Sequence, residues 1–197
     1  AKSKFVSSRV ESIPPSGIRK FFDLIASMDG AISLGVGEPD FVTPWHIRAA
    51  AITALERGYT MYTSNYGLLE LREALADHLA GLYGVHYDPK CELLITMGVS
   101  EALDIALRAV IDPGDEIIIP DPGYVSYQPC TVLAGGVAVP VLTTEKHDFK
   151  MLPEDVEAHI TPRTKAILLG YPNNPTGAVM HREDLEAIAR IAEKYDL

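Results

Sequence analysis

Short runs of apolar residues alternate with amphipathic segments along the chain from about residue 93 onward. In the amphipathic segments, apolar side chains recur every three or four residues, as at Leu103, Leu107 and Val110, which is the spacing of one helix face. The runs themselves have the length of strands. The predicted strands are 93–97, 116–120, 137–141 and 166–169, and the predicted helices are 99–111, 121–134, 153–160 and 181–195.

The region before residue 93 predicts helices joined by polar loops. Apolar residues at helical spacing predict a first helix over 16–30, and 32–34 predicts a short strand. Thr43 and proline 44 form a helix start, because proline is favoured at the first helical position, and that helix is predicted to run over 44–57. A further helix carries leucines at 71, 75, 79 and 82 and ends at Gly84.

The alternation predicts the fold class α/β, as a three-layer α/β/α arrangement with a mostly parallel sheet. Parallel strands need crossover connections, and helical crossovers cover both faces of the sheet. Residues 1–43 are predicted to form an N-terminal arm and the start of a small domain, and residues 44–197 a large domain. The sheet is expected to be incomplete at the C-terminus, because the last helix stops where the alternation requires another strand.

The charge and composition of the chain exclude several classes of partner. A formal net charge of −10 and a pI near 5.0 oppose binding to the phosphates of nucleic acid. No apolar run is long enough to cross a bilayer, and the first residues carry no secretory signal. Cys91 and Cys130 lie far apart, and the histidines show no zinc-binding spacing. We therefore expect a soluble, cytoplasmic protein with no membrane partner and no metal site.

Four loop segments could carry chemistry, and three of them directly follow a predicted strand. Met97–Ser100 begins a helix whose N–H groups can bind an anion. Asp121–Tyr124 places an aromatic ring at a strand end, and Tyr171–Gly177 places two asparagine amides at another. Tyr62–Arg72 is a hydroxyl-rich loop before a helix. A capped helix, a packed tyrosine or a proline turn would explain each one alone. The position of three of them at strand ends indicates a ligand site.

Together these segments resemble successive signatures of the class I/II pyridoxal-phosphate (PLP) aminotransferases. The matching runs are Gly-Glu-Pro-Asp-Phe at 37–41, Tyr-x4-Gly-x4-Arg at 62–72, Asp-Pro-Gly-Tyr at 121–124 and Asn-Asn-Pro-Thr-Gly at 173–177. They occur in order and cover nearly the whole chain. The resemblance is to the N-terminal part of an aspartate aminotransferase-like enzyme, and it implies the large domain of PLP transferase fold type I.

The resemblance implies cofactor-binding roles for four residues of the predicted large domain. Val99 and Ser100 would bind the phosphate of PLP, and Tyr124 would stack on its pyridine ring. Asn174 would hydrogen-bond the ring oxygen O3′ and contact the substrate. The resemblance also implies cis peptide bonds before Pro122 and Pro175, the prolines of the signatures at 121–124 and 173–177.

The resemblance assigns two further residues to the substrate and to a second subunit. Gly37 would bind the substrate carboxylate through its backbone. Tyr62 would reach the cofactor phosphate of the opposite subunit, which implies a homodimer. The implied substrates are amino acids and 2-oxo acids.

The implied activity is transfer of an amino group from an L-amino acid to a 2-oxo acid in amino acid metabolism, with PLP as an electron sink. In the family, the catalytic lysine, an aspartate for the ring nitrogen and an arginine for the substrate carboxylate would follow Leu197. None of the lysines at 90, 146, 150, 165 and 194 stands in a matching context. We therefore expect no catalytic residue within this chain, and no transamination by the chain alone.

Two other interpretations stay open from the sequence. Another PLP enzyme of fold type I, such as a C–S lyase or a decarboxylase, would share the cofactor motifs, because these do not choose which bond breaks. A non-catalytic α/β fragment that packs against a partner is the second. A dinucleotide-binding domain fits less well, because Gly35-x-Gly37 followed by Glu-Pro-Asp is not the required glycine-rich turn.

Overall fold

A computed structural model of the protein describes residues 4–15, 28, 30, 37 and 39–197. The helices are α1 (Ser8–Glu11), α2 (Trp45–Glu56), α3 (Leu69–Tyr83), α4 (Gly98–Val110), α5 (Tyr127–Ala134), α6 (Pro153–Ala158) and α7 (Arg182–Tyr195), with one 3-10 turn at Glu145–His147. The strands are β1 (Glu116–Asp121), β2 (Val137–Leu142) and β3 (Thr164–Ile167). The helix predicted over 16–30 and the strand predicted at 32–34 lie outside the described residues, apart from Met28 and Gly30.

The chain divides into two compact units. The sheet unit consists of Ala1–Pro15 and Met97–Leu197, and the second unit consists of Ser16–Thr96. The second unit contains α2 and α3, close to where the sequence predicts them. Gly84 ends α3 in the left-handed conformation, with φ of 68°, which glycine adopts without steric cost. The domain boundary expected after residue 43 stays a prediction.

A parallel sheet in the order β2–β1–β3 forms the centre of the sheet unit. β1 lies between the other two strands and pairs with both. Its run of β-branched residues, Ile117–Ile119, favours a strand that is covered on both faces. Accordingly, Ile117 and Ile118 have no exposed surface.

Helices cover both faces of this sheet. Successive residues of a strand point to opposite faces, so β1 contributes to two separate cores. On one face Ile118 packs in a cluster of buried residues that includes Val141, Met151, Val156, Met180, Ile188 and Ile191. On the other face Ile117 and Ile119 pack with Leu107 and Ile111, and residues of α5 lie against them. This arrangement confirms the predicted three-layer α/β/α fold.

Among the helices in the described part of the chain, α7 is the most strongly amphipathic, and it buries Ile188 and Ile191. At its start the N–H of His181 donates to the Asp184 carboxylate at 2.8 Å, and the His181 side chain accepts from the backbone N–H of Asp184. That reciprocal cap satisfies backbone groups that a helix start leaves unpaired. None of these helices has both the length and the apolar character that a membrane span requires.

The strand predicted at 93–97 is wrong. A strand needs a ladder of hydrogen bonds to a neighbouring strand, and no strand lies beside this segment among the described residues. Ile95 instead donates a backbone hydrogen bond to the carbonyl of Tyr66, at 3.1 Å, in a loop. Its side chain lies against Gly67, where an added Cβ would come within 2.5 Å of Ile95 Cγ1. The apolar run at 93–97 therefore packs against the loop at Tyr66 and Gly67 and does not form a strand.

The helix predicted over 121–134 begins at Tyr127, six residues late. Pro129 gives the physical reason, because a residue without an N–H is tolerated in the first turn of a helix but not in later turns. A helix from residue 121 would place Pro129 in its third turn. Residues 122–126 form a turn instead. Smaller differences are that β3 begins at Thr164 and that α6 ends at Ala158.

Candidate functional site

Three segments of the sheet unit form what we call the carboxyl edge. Two of them follow strands, namely the turn after β1 at 122–126 and the loop after β3 at 168–178, and the third is the start of α4 at 98–100. In parallel α/β sheets this is the edge where ligands bind.

Two side-chain hydrogen bonds connect the three segments. Ser100 Oγ lies 3.1 Å from the hydroxyl oxygen of Tyr124, which joins the start of α4 to the turn after β1. Asn173 Nδ2 donates to the carbonyl of Pro122 at 3.4 Å, which joins the loop after β3 to the same turn. The structure therefore brings together the predicted residues Ser100 and Tyr124 and the loop that carries Asn174.

The start of α4 is suited to an anion. Val99 and Ser100 are exposed, and Gly98 has φ of 78° with open space where a side chain would lie. The aligned peptide dipoles of this 13-residue helix favour negative charge at its start. The carboxylate of Glu101 accepts a hydrogen bond from the N–H of Met97, just before the helix.

Tyr124 is partly buried at the carboxyl edge and is held from two sides. Its ring meets the Tyr127 ring edge-on, with centroids 5.6 Å apart and planes at 81°. Hydrogen bonds with Ser100 and then Ser126 lower the pKa of the Tyr124 hydroxyl. Tyr127 behaves differently, because burial raises its pKa. Its hydroxyl lies so close to Gly170 that a Cβ there would be 2.1 Å away.

The two adjacent asparagines of the third segment have different environments. Asn173 is buried, and its Oδ1 accepts from the N–H of Thr176 at 3.2 Å and from the Thr176 hydroxyl at 2.9 Å. The backbone N–H of Asn173 also donates a hydrogen bond to the carbonyl of Ala178, and its carbonyl accepts one from the N–H of Gly177. Asn174 is exposed. Asn173 thus fixes the loop, while the amide of Asn174 faces solvent.

The peptide bonds predicted to be cis, Asp121–Pro122 and Asn174–Pro175, are both cis. A third cis bond, Tyr171–Pro172, was not predicted. Tyr171 is anchored in the sheet unit, because its hydroxyl accepts from the N–H of Met151 at 3.1 Å and donates to the Phe149 carbonyl at 3.0 Å.

Gly37 and Tyr62 belong to the second unit, and both are exposed. Their predicted contacts with cofactor and substrate stay predictions. Arg72, the arginine of the signature that begins at Tyr62, is buried and donates from Nη1 to the carbonyls of Pro89 and Lys90. Arg72 therefore holds the second unit together.

The residues at the carboxyl edge fit a phosphorylated planar ring. A phosphate accepts hydrogen bonds, and the start of α4 offers the Ser100 hydroxyl beside a helix dipole of the right sign. A flat ring can stack on an aromatic side chain, and Tyr124 stands next to that helix start. A ring oxygen can accept from an amide, and Asn174 presents one.

Other kinds of site find less support in the described part of the chain. It contains no group of three residues able to hold a metal ion. Two of its lysines are ion-paired, Lys150 with Asp184 at 2.9 Å and Lys194 with Glu157 at 2.6 Å. Lys150 thus pairs with a residue of α7, and Lys194 belongs to α7 itself.

Sequence reasoning missed three residues that shape the site. Asn173, Ser126 and Tyr127 hold the two loops and the Tyr124 ring in place. For Asn173 a signal was present, because an asparagine three residues before a threonine in a proline turn favours a side-chain-to-backbone turn. For Ser126 and Tyr127, the helix wrongly predicted to begin at residue 121 concealed their position at a helix start.

Comparison with known proteins gives a consistent result. The family model described as aminotransferase class I and II matches residues 29–197. The protein YugH of Bacillus subtilis is 52% identical over 195 residues, which cover 99% of this chain and 50% of that protein. Aromatic-amino-acid aminotransferase 2 of Thermococcus litoralis is 45% identical over 192 residues, which cover 98% of this chain and 49% of that protein.

A solved structure matches the fold as well. The aspartate aminotransferase from Thermus thermophilus with maleate has a TM-score of 0.91 and 42% identity, covering 98% of this chain and 51% of that one. The chain thus spans about half the length of the curated relatives it matches.

Proposed function

The chain belongs to the class I and II aminotransferases, and from this premise we propose that the whole protein transfers an amino group from an L-amino acid to a 2-oxo acid with PLP as cofactor. The observation that carries the proposal is the 3.1 Å contact between Ser100 and Tyr124. It places a helix start suited to a phosphate beside a ring suited to a pyridine. When bound, PLP supplies a sink for the electrons released when the substrate Cα–H bond breaks.

Within this proposal the residues at the carboxyl edge hold the cofactor. Val99 and Ser100 bind the phosphate, Tyr124 stacks on the ring, and the exposed amide of Asn174 donates to O3′ and contacts the substrate. The division between Asn173 and Asn174 supports this assignment. A rigid, internally bonded neighbour fixes the backbone from which Asn174 projects, and such fixed donors hold a ligand in one orientation.

We propose further that Gly37 binds the substrate carboxylate and that Tyr62 contributes to the site of a second subunit in a homodimer. The surface of the second unit supports a partner. Although eight of its twelve residues are apolar, α2 buries none of them, and Trp45 and Leu55 are each about two-thirds exposed. Tyr62 in the following loop is fully exposed. Exposed apolar surface of this extent marks an interaction site.

A reducing, cytoplasmic environment is also proposed. Both cysteines are free, and burial raises the pKa of the Cys130 thiol, which makes it less reactive.

Product analysis tests the proposed activity. The whole protein is incubated with PLP, 2-oxoglutarate and either L-aspartate or L-phenylalanine, the donor classes suggested by the names of the two aminotransferase relatives. We expect glutamate and the 2-oxo acid of the donor in equal amounts, with no product when the 2-oxo acid acceptor is left out. Release of ammonia or carbon dioxide in place of glutamate would show that the protein is a lyase or a decarboxylase on the same scaffold.

A further inference from the structure

The hydroxyl of Tyr124 lies among serine hydroxyls. Ser100 Oγ is 3.1 Å away, and the Ser126 side chain is near enough to lower the pKa of the Tyr124 hydroxyl as well. Ser126 stands at the N-cap position of α5, where a serine usually caps the helix with its side chain, yet it makes no such bond. Its hydroxyl is therefore not used by the helix cap. Tyr124 and Ser100 form a row of hydroxyls that leads to the start of α4, and Ser126 stands beside this row.

A phosphate would give this row one direction. Between two hydroxyls either oxygen can donate, so the Ser100–Tyr124 contact alone leaves the direction open. A fully ionised phosphate can only accept, so Ser100 must turn its proton to the ligand. Its oxygen then becomes an acceptor for the Tyr124 proton, and Ser126 can donate to Tyr124 in turn. Hydrogen bonds in such a chain strengthen one another.

We propose that Tyr124 is a positioning residue for the phosphate site in addition to a stacking surface: its hydroxyl donates to Ser100 Oγ and so aims the Ser100 proton at the phosphate. This inference rests on the proposed function. Stacking alone would need only the ring, and a phenylalanine would supply that equally well. The hydroxyl has a separate role, because it lies within hydrogen-bonding distance of Ser100 Oγ, the group that meets the phosphate.

Binding of two ligands that differ only in the phosphate separates the two roles. Pyridoxine 5′-phosphate and pyridoxine carry an alcohol in place of the aldehyde of PLP, so neither condenses with surface lysines. Each is titrated calorimetrically into the whole protein at pH 8, where the phosphate is a dianion. For Tyr124→Phe we expect an affinity for pyridoxine 5′-phosphate about tenfold weaker, as for the loss of one hydrogen bond in a charged network. Its affinity for pyridoxine should be unchanged.

A double-mutant cycle shows whether Tyr124 acts through Ser100. In a Ser100→Ala background, Tyr124→Phe should cause no further loss, because the group that it positions is already absent. Ser126→Ala is a second variant that leaves both ring and phosphate contact in place. It should weaken pyridoxine 5′-phosphate binding about twofold and leave pyridoxine binding unchanged. Near-ultraviolet circular dichroism of each variant checks that the fold is intact.

Three results would overturn the inference. Equal loss of affinity for both ligands in Tyr124→Phe would mean that the hydroxyl acts on the ring and not on the phosphate, and additive losses in the cycle would mean that Tyr124 and Ser100 act independently. Unchanged binding of both ligands in Tyr124→Phe would mean that the residue serves only as a stacking surface. These outcomes differ from failure of the proposed function, which would appear as absence of both pyridoxine 5′-phosphate binding and glutamate formation with the unmodified whole protein.

Discussion

The two ends of the strands in the central sheet differ in how their polar side chains are paired. We call the end where the strands begin, at Glu116 and Thr164, the amino edge, in contrast to the carboxyl edge. At the amino edge, Glu116 is 5% exposed, and its carboxylate accepts from the Thr161 hydroxyl at 2.5 Å and from Arg163 Nη2 at 2.5 Å. At the carboxyl edge, Ser100 and Asn174 are exposed. Glu116 thus has its partners within the protein, whereas Ser100 and Asn174 keep surface that a ligand can reach, although their neighbour Asn173 is buried and paired.

This difference distinguishes polar residues that stabilise the fold from polar residues that can bind a ligand. A buried polar group costs free energy unless it is paired, so Glu116 must be matched by its own neighbours. An exposed group is matched by water and can exchange that water for a ligand. A charged residue at the end of a strand is therefore weak support for a ligand site. Stronger support comes from a residue that is exposed and still has hydrogen-bonding groups without a partner in the protein.

The largest effect is expected at the amino edge. Replacing Glu116 by alanine removes the acceptor of Thr161 and Arg163 and should lower the free energy of unfolding by about 2–3 kcal/mol. Urea unfolding measures this. The affinity for pyridoxine 5′-phosphate should stay unchanged, because no ligand contact is lost.

The matched control for that change is Arg163→Ala. The side chain of Arg163 is 68% exposed, and the Thr161 hydroxyl still donates to Glu116 when Arg163 is removed, so this change should cost about 1 kcal/mol, less than Glu116→Ala. If the Glu116 variant weakened ligand binding without loss of stability, the assignment of the amino edge to structure would be wrong.

The adjacent asparagines test the comparison within one loop. Asn173→Ala leaves the Thr176 N–H and hydroxyl without their acceptor and should cost about 1–2 kcal/mol of unfolding free energy. Asn174→Ala should change stability by less than about 0.5 kcal/mol but weaken binding of pyridoxine 5′-phosphate. Urea unfolding and calorimetry on both variants give the two readouts. A comparable loss of stability in both would remove the distinction between structural and ligand-facing residues at this edge.

The sequence predicts the layers of this fold better than its polar contacts. The isoleucine run of β1 and the helical spacing of α4 depend on local pattern, and both elements are where they were predicted. The partners of Glu116 are 45 and 47 residues away, and only the pairing of β1 with β3 brings them together. Local pattern also cannot show which of two adjacent asparagines is buried.

The apolar run at 93–97 shows a different limit. A short apolar run predicts burial, but the strand itself exists only if a neighbour completes the ladder, and neighbours are not visible in local pattern. The residues of the carboxyl edge were predicted in a different way, from signatures that occur in the order typical of the family. The resemblance assigned no role to Ser126 and Asn173, which support these residues.

A smaller effect concerns pH. The hydrogen bonds from Thr161 and then Arg163 lower the pKa of Glu116 below its ordinary value of 4.5. A carboxyl whose pKa is lowered in the folded state contributes stability above its unfolded pKa and loses that contribution as the pH falls through the folded pKa. Glu116→Gln should thus be less stable than the unmodified chain by about 1 kcal/mol at pH 7, the difference between hydrogen bonds to charged and to neutral acceptors.

Urea unfolding of both proteins between pH 7 and pH 3 measures this difference. The gap should be constant down to about pH 5 and close as the pH falls below 4.5. A gap that persists at pH 3 would mean that the shape of Glu116, and not its charge, stabilises the amino edge.

The smallest effect is expected for the ion pair of Lys194 and Glu157, which is charged like the Arg163–Glu116 pair but has no buried carboxylate. Lys194 Nζ lies 2.6 Å from Glu157 Oε1, about the same distance as in the Arg163–Glu116 pair. Both side chains are largely exposed, at 62% and 40%, so water and salt screen their attraction. Lys194→Ala should therefore shift the midpoint of urea unfolding by less than about 0.2 M. A shift as large as that of Glu116→Ala would show that short distance alone, without burial, stabilises this protein, and the contrast between the two edges would lose its physical basis.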